Sequence, residues 1–395
     1  MRPAPDGGRR GFLRSACRHC VGFSALGLGA GALAQDAGDV AMPGRFTRPA
    51  IDTDEGGLWS MMDREETRIR RSPLVIKDDA LSVYLKDLVC RLGGDHCADM
   101  RVHVVRTPHF NASMAPNGMM QVWTGLLLRV DNEAQLAAVL GHEIGHYLER
   151  HTVERMRDIK SKSAAAMVLS MFGLPGMIAG LGVAASAMGF SRDQETRADH
   201  IGVRLMQRAG YDAREGARVW DNLMTELKVT GGEDAGKRSA MFATHPAAGD
   251  RRDRILHLAG DTGGKVGAEE FERVIARHRL EWLQEEIRRG QFEESLELFN
   301  RKLQARPADA QLLFARGEVR RQRNTDEDLQ PALDDFQRAA AADKPPPELF
   351  RSLGLLHRRR KDAPAANAAF ERYLALAPDA GDAGLIKTYL TEPKP

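Results

Sequence analysis

The stretch DNEAQLAAVLGHEIGHYLERH, residues 131–151, decides how this chain is interpreted. Apolar residues recur in it at helical spacing. Asp131 is a candidate N-cap, and Glu133 follows in the first turn, where a negative charge suits the helix dipole. The pattern predicts one helix that continues through HTVERM to residue 156. Because His142 and His146 are four residues apart, both imidazoles would project from the same face of that helix.

Two imidazoles on one helical face are well placed to bind a divalent metal ion, above all zinc. Glu143 would lie about 100° round the helix from His142, close enough to act as a general base without being a ligand. The spacing H-E-x-x-H also occurs by chance in unrelated proteins. A catalytic zinc needs a third protein ligand, which has to come from elsewhere in the chain.

The best candidates for that ligand lie in SRDQETRADHIGVRLMQRAGYD, residues 191–212. Glu195 and Asp199 are again four apart, on a predicted helix whose opposite face is apolar. We expect Glu195 to bind the metal and Asp199 to accept a hydrogen bond from a ligand imidazole. The alternative is a solvated helix face of mixed charge, because three arginines lie nearby. That alternative leaves both four-residue spacings unexplained.

Length and composition predict a soluble globular protein of two domains. The chain has 395 residues, of which 43% are hydrophobic and 28% are charged. A chain of this length exceeds one ordinary core, and this composition is not that of a disordered or membrane-embedded protein. The net charge of +2 argues against a nucleic-acid-binding protein that works by charge.

The first 34 residues have the pattern of an export signal. Three arginines within residues 9–14 precede an uncharged run from Val21 to Ala34, which ends in an A-x-A cleavage pattern. RRGFLR resembles the twin-arginine export consensus, and an ordinary Sec signal that contains two arginines is the alternative. Either signal predicts export to the periplasm with cleavage near Ala34. Residues 35–76 would then form an N-terminal arm.

The cysteines agree with export. Cys17 and Cys20 lie in the predicted signal, so Cys90 and Cys97 would remain in the exported chain. In an oxidising compartment, two thiols separated by six residues are expected to form a disulfide that closes a small loop. Two free buried thiols are the alternative.

Residues 164–190 carry no charge. Their length would allow a membrane helix, but Gly173-Leu174-Pro175-Gly176 interrupts the run. We therefore expect two short apolar helices that are buried in the protein or contact a membrane surface peripherally. A true membrane span is the alternative.

From about residue 270 the chain becomes helical and repetitive. Gly354, Ala366, Phe370 and Pro378 fall at the small, aromatic and terminating positions of a 34-residue tetratricopeptide repeat. A second unit, aligned on its own phenylalanine, precedes this one, and a middle unit needs about three extra residues near NTDED (324–328). A generic helical bundle is the alternative.

NASMAPNG (111–118), together with the two helical stretches around residues 142 and 195, resembles the HtpX- and Ste24-like gluzincin metallopeptidases. The resemblance covers residues 85–260 strongly and the remainder by architecture. It implies an α+β, mostly helical fold: a gluzincin-type domain with a small sheet at 77–262, followed by an all-α tetratricopeptide-repeat domain at 270–395. It also implies a site with one zinc per chain. Its ligands would be His142, His146 and Glu195, with Glu143 as base and Asp199 orienting a ligand histidine.

The resemblance implies further site residues. Family members carry a His-Pro downstream, matched here by His245, which would act as an inhibitory switch at the zinc or steady the oxyanion. An arginine follows that histidine in the family, and three residues compete for the assignment: Arg251, Arg252 and Arg254. Asn111 would bind substrate at the start of the loop before an edge strand, expected at 118–124, to which substrate backbone adds.

The sequence therefore predicts an exported zinc-dependent endopeptidase with polypeptide substrates. The resemblance implies a role in periplasmic or outer-membrane protein quality control, in which the repeats contact outer-membrane proteins or their assembly machinery. The first alternative is a tetratricopeptide-repeat chaperone or scaffold whose protease site is largely latent. A second alternative is a membrane protease anchored by residues 164–190.

Overall fold

The structure, a computed structural model, describes residues 42–158, 189–232, 239–245 and 250–391. The predicted export signal lies outside these ranges, as does the uncharged segment 164–190 except for its last two residues. Within the described ranges, no helix combines the length and the hydropathy needed to cross a bilayer.

The described chain is mostly helical and contains one three-stranded sheet, as expected for the α+β class. Its elements are, in order, α1 (Asp54–Arg71), α2 (Asp79–Gly93), a 3-10 helix (Gly94–Asp99), β1 (Arg101–Val105), β2 (Ala112–Met114), β3 (Met119–Trp123), α3 (Thr124–Arg129), α4 (Glu133–Leu148), α5 (His151–Asp158), α6 (Arg192–Arg208), α7 (Glu215–Gly231), α8 (Ala240–Thr244), α9 (Arg251–Ala259), α10 (Ala268–Arg288), α11 (Phe292–Ala305), α12 (Ala310–Arg323), α13 (Leu329–Ala341), α14 (Pro347–Arg359), α15 (Ala363–Leu376) and α16 (Ala383–Thr391).

The strand order in the sheet is β1-β3-β2. β1 pairs with β3 in parallel, with Arg101 opposite Met119, and β2 pairs with β3 antiparallel, with Ala112 opposite Val122. The expectation of an edge strand at 118–124 is therefore wrong, because β3 is hydrogen-bonded on both sides. All five residues of β3 are buried, so its alternating apolar and polar residues do not mark a half-exposed strand. β2 is the edge strand beside α4.

The helix that carries the two histidines begins one residue later than expected. Asn132, not Asp131, caps α4, because its side-chain oxygen accepts a hydrogen bond from the backbone N–H of Gln135 at 2.8 Å. The carboxylate of Asp131 instead accepts hydrogen bonds from Arg301 at 2.6 Å and Lys302 at 3.0 Å, both on α11.

The same helix also ends earlier than expected. α4 stops at Leu148, and α5 starts at His151. Arg150 between them has a φ of 57°, in the left-handed region, so the chain turns instead of continuing the helix to residue 156. The turn changes the direction in which the side chain of His151 points.

α4 and α6 cross at very short range through small residues. A Cβ atom built on Gly145 would lie 2.8 Å from the carbonyl oxygen of Ala198, and one built on Gly202 would lie 3.0 Å from the backbone nitrogen of His142. Neither position has room for a side chain. The crossing brings the histidine face of α4 against the acidic face of α6.

Cys90, on α2, and Cys97, on the 3-10 helix that follows, form a disulfide. The predicted pairing is therefore confirmed. The bond ties the end of α2 to the start of the sheet, because β1 begins at residue 101.

Two pairs of C-terminal helices pack through the same glycine–phenylalanine contact. A Cβ on Gly317 of α12 would lie 2.6 Å from the ring of Phe336 on α13, and one on Gly354 of α14 would lie 2.3 Å from the ring of Phe370 on α15. The first pair is separated by three residues more than the second, in agreement with the extra residues expected around NTDED. These helices therefore approach closely at equivalent places.

The C-terminal helices are joined to the sheet region by buried charge. Arg129, at the end of α3, donates a hydrogen bond to Glu226 of α7 at 2.8 Å and another to Glu286 of α10 at 2.9 Å. All three side chains are buried. Charged groups in an interior require such partners, so this bridge fixes α10 against α3 and α7.

Candidate metal centre

Three of the residues predicted to bind the metal meet at the crossing of α4 and α6. Nε2 of His142 and Nε2 of His146 lie 3.1 Å apart. Glu195 approaches both, with Oε1 3.4 Å from Nε2 of His146 and Oε2 3.6 Å from Nε2 of His142. All three side chains are buried.

His245, which follows α8, places a fourth donor in the same group. Its Nδ1 lies 3.3 Å from Nε2 of His142 and 3.0 Å from Oε1 of Glu195. The donor atoms of His142, His146, Glu195 and His245 all lie within 4.8 Å of one another. The proline after His245 lies outside the described residues.

The donor set fits zinc in chemistry and in spacing. Zinc prefers imidazole and carboxylate ligands at about 2.0–2.1 Å, so the edge of a tetrahedral site is about 3.3 Å. The five donor-to-donor distances given above range from 3.0 to 3.6 Å.

Asp199 and Arg251 hold the first histidine and the carboxylate. Oδ1 of Asp199 lies 2.9 Å from Nδ1 of His142, which turns Nε2 of that ring toward the donor group. Arg251 donates to Asp199 at 2.6 Å and to Glu195 at 3.2 Å, and its guanidinium lies 3.9 Å from the centre of the Trp220 ring. Three arginines competed for this assignment in the sequence: Arg251, Arg252 and Arg254. It is Arg251 that hydrogen-bonds to both Glu195 and Asp199.

The electrostatics keep the carboxylates ionised and the second histidine neutral. Although burial opposes it, His245 and the hydrogen bond from His146 hold the pKa of Glu195 well below its usual range. In the same way, Arg251 and His142 overcome burial and lower the pKa of Asp199. Burial holds the pKa of His146 well below its usual value. Negative oxygens and neutral imidazole are the forms that bind a cation.

Glu143 lies beside the donor group rather than in it. Its side chain is buried, and burial raises the pKa of its carboxyl group. Oε1 of Glu143 lies 3.5 Å from Nε2 of His245 and makes no hydrogen bond to the described residues. A raised pKa and an uncommitted oxygen are properties of a proton acceptor.

Asn111 lies apart from the donor group, at the start of β2. Its backbone oxygen accepts a hydrogen bond from the N–H of Trp123 at 3.1 Å, and its side-chain oxygen is buried without a hydrogen-bond partner among the described residues. It immediately precedes the strand next to the site and is not part of the metal group.

Two residues at the site were not predicted. The ring of Phe190 stacks on His146 with centroids 4.0 Å apart, and its backbone N–H donates to the carbonyl of Thr244 at 2.9 Å. His151 contacts the Nδ1 edge of the His146 ring, with ring centroids 4.9 Å apart. In the sequence, Phe190 looked like the end of an apolar segment and His151 like an ordinary helical residue.

Comparison with known proteins agrees with this geometry. Residues 77–259 match the family model described as Peptidase family M48. The chain is 34% identical over 158 residues to the Mitochondrial metalloendopeptidase OMA1 of Arabidopsis thaliana, which covers 40% of this chain and 31% of that protein. It is 27% identical over 268 residues to the Beta-barrel assembly-enhancing protease of Yersinia pestis, which covers 60% of this chain and 52% of that protein.

A similar match, 26% identity over 222 residues, is found to the Beta-barrel assembly-enhancing protease of Escherichia coli (strain K12); it covers 51% of this chain and 44% of that protein. The chain therefore spans between about a third and a half of the length of these relatives. The similarity includes the two helices that carry the donor group.

Proposed function

We propose that this chain, which carries a Peptidase family M48 domain at residues 77–259, is a zinc-dependent endopeptidase. The spacing of the four donor atoms on α4, α6 and the end of α8 carries the proposal. His142, His146 and Glu195 would hold one zinc per chain as a gluzincin ligand set. Bound zinc would polarise the scissile carbonyl and lower the pKa of water toward about 7.

Glu143 is the proposed general base. Its raised pKa brings the carboxyl group nearer to neutral pH, where it can both take and release a proton. It would accept a proton from the attacking water and then deliver it to the leaving amine. Asp199 and Arg251 would keep His142 and Glu195 in place while this happens.

The proposed substrates are polypeptides that add to the edge of β2 that pairs with no other strand among the described residues. Because the backbone of Asn111 and that of Ala115 pair with β3, the intervening Ala112 and Met114 direct their backbone groups away from it. β2 packs against α4, which carries the histidines. An extended peptide on this edge would lie beside the donor group, with Asn111 at one end of its path.

His245 supports a latent state of the same enzyme. Its Nδ1 lies among the donor atoms, where it would fill the position that a catalytic zinc site with three protein ligands keeps open. The carboxylates of Glu143 and Glu195, acting against burial, raise the pKa of His245. A protonated His245 would pair with these carboxylates, and it would have to lose its proton before it could bind zinc. Movement of His245 would open the fourth position.

We assign residues 77–262 to the protease and 270–395 to tetratricopeptide repeats. The paired contacts of Gly317 with Phe336 and of Gly354 with Phe370 support the repeat assignment, because small residues let the two helices of each unit approach. Stacked repeats offer an extended surface to partly folded clients. The proposed clients are outer-membrane proteins or their assembly machinery, as the names of several relatives suggest.

We further propose that the chain is exported to the periplasm and acts there in outer-membrane protein quality control. The predicted export signal and the likeness to proteins named for β-barrel assembly support this role. Recovery of the full-length protein in the cytoplasmic fraction, with residues 1–34 still attached, would contradict it.

The decisive test of the enzyme proposal is Glu143→Gln. This variant should bind zinc as the wild type does, because Glu143 lies outside the donor group, yet it should lose casein cleavage. Metal analysis and a cleavage assay on the same preparations measure the two properties. Glu269→Gln, at an exposed position on α10, is the matched control and should change neither. Cleavage by zinc-loaded Glu143→Gln would refute the role of Glu143.

The latent state is tested by His245→Ala. Three ligands remain in this variant, so it should retain zinc and should cleave casein faster than the wild type. If zinc-loaded wild type, His245→Ala and all related variants cleave nothing while the chain still binds unfolded clients, the scaffold alternative is favoured over the enzyme.

A further inference from the structure

His151 lies at the first position of α5, and its side chain is fully buried next to the metal centre. Its Nδ1 is 2.8 Å from Nδ1 of His146. This is the nitrogen of His146 that faces away from the donor group, since Nε2 of the same ring faces His142 and Glu195. Among the described residues, His151 therefore provides the hydrogen-bond partner for the back of the ring.

The break between α4 and α5 creates this contact. On a continuous helix, a residue five positions after His146 would project about 140° away from it. The left-handed conformation of Arg150, with a φ of 57°, turns the chain and brings Nδ1 of His151 next to Nδ1 of His146. The arrangement is therefore a product of a specific turn, not of helical spacing.

The chemistry of imidazole determines which of the two histidines donates the hydrogen bond. A neutral histidine that offers Nε2 to a cation carries its proton on Nδ1 and needs an acceptor there. We propose that His151 is a positioning residue of the metal centre: its Nδ1 accepts the hydrogen bond from His146 and fixes the orientation and tautomer of that ring. The inference rests on the proposed zinc site and adds to it a residue outside the ligand set.

The same reasoning determines the role of the second nitrogen of His151, Nε2. If Nδ1 of His151 accepts, then Nε2 of the same neutral ring carries the proton and must donate. Two groups lie near that nitrogen: the guanidinium of Arg197 at 2.9 Å, which can only donate, and the carboxylate of Glu149 at 4.0 Å, which can accept. In the present geometry Nε2 of His151 accepts from Arg197, and Glu149 lies beyond hydrogen-bonding distance. In the metal-binding tautomer, Glu149 would therefore have to replace Arg197 as the partner of this nitrogen.

The test compares zinc affinity, measured by competition with a chromophoric chelator, in full-length variants. His151→Phe should weaken zinc binding by about 10- to 100-fold, the usual effect of losing an orienting partner. His151→Gln, which keeps an acceptor oxygen, should lose less than His151→Phe. The control is His96→Phe, which removes another fully buried imidazole, hydrogen-bonded to the carbonyl of Pro43 at 2.8 Å, and should leave zinc affinity unchanged.

Variants of Glu149 and Arg197 supply a second measurement. It should not change if His151 has only a structural role. Glu149→Leu, which removes the acceptor, should weaken zinc binding, and Arg197→Leu should not weaken it, although both remove a neighbour of His151. Wild-type affinity in His151→Phe would overturn the inference, and so would a greater loss in Arg197→Leu than in Glu149→Leu. If His151→Phe does not fold, the zinc affinities of the Glu149 and Arg197 variants provide the test. Wild-type protein that binds no zinc would instead overturn the proposed function.

Discussion

Gly145→Ala tests whether the close crossing of α4 and α6 assembles the metal centre. The new Cβ would lie 2.8 Å from the carbonyl oxygen of Ala198 and 3.0 Å from its Cα. Both are backbone atoms, so the two helices must separate by roughly half an ångström to accept the methyl group. Overpacking of this kind costs about 1–3 kcal/mol, whereas replacing a helical glycine with alanine gains about 0.5–1 kcal/mol.

The expected net effect of Gly145→Ala is thus a loss of up to about 2.5 kcal/mol in the free energy of unfolding. Zinc affinity should also fall, because His146 and Glu195 lie on the helices that separate. Urea denaturation of the metal-free protein and chelator competition measure the two effects.

Gly57→Ala is the matched control. Gly57 also lies in a helix, α1, but a Cβ there has nothing within 4 Å. This variant should gain about 0.5–1 kcal/mol in stability and bind zinc normally. The reasoning is refuted if Gly145→Ala is as stable as Gly57→Ala and retains the zinc affinity of the wild type.

Two further predictions concern charge. Asp199→Leu should weaken zinc binding by about 10- to 100-fold, because the orienting acceptor for His142 is lost; chelator competition should show no such change for Asp193→Leu, an exposed position on the same helix. Glu66 accepts hydrogen bonds from His103 and Arg101, which overcome burial and lower its pKa to about 2. Because that value lies below the unfolded value of about 4.3, the stabilisation by Glu66 is present above that pH and disappears as pH falls toward 2. The difference in unfolding free energy between wild type and Glu66→Gln should therefore shrink from pH 6 to pH 3, and a difference that grows would contradict this sign.

The features of the site that lie within a single helix could be predicted from the sequence. The four-residue spacings of His142 with His146 and of Glu195 with Asp199 depend on helical geometry alone, and the structure brings these four residues together. The metal-binding roles assigned to them stay predictions until metal is measured. The disulfide between Cys90 and Cys97 was also a local inference, and it is confirmed.

The features that the sequence did not reveal are those that depend on neighbours distant in the chain. An alternating strand at 119–123 indicates a half-exposed edge until β1 and β2 are known to flank it. The helix pattern continued past residue 148, and the turn at Arg150 became visible only in the structure. Arg251 could not be separated from its neighbours, because the choice depends on which one reaches Glu195 and Trp220.

The buried bridge of Arg129 determines where this chain can be cut. A truncation between α9 and α10 would remove Glu286 and leave the Arg129 guanidinium with one of its two carboxylates, in a pocket that α10 no longer covers. The fragment would also expose the surface of α3 that α10 covers, and burial of that surface contributes to the stability of the intact chain. A protease fragment that stops at the end of α9 would therefore fold poorly, and the smallest robust fragment must extend through α10.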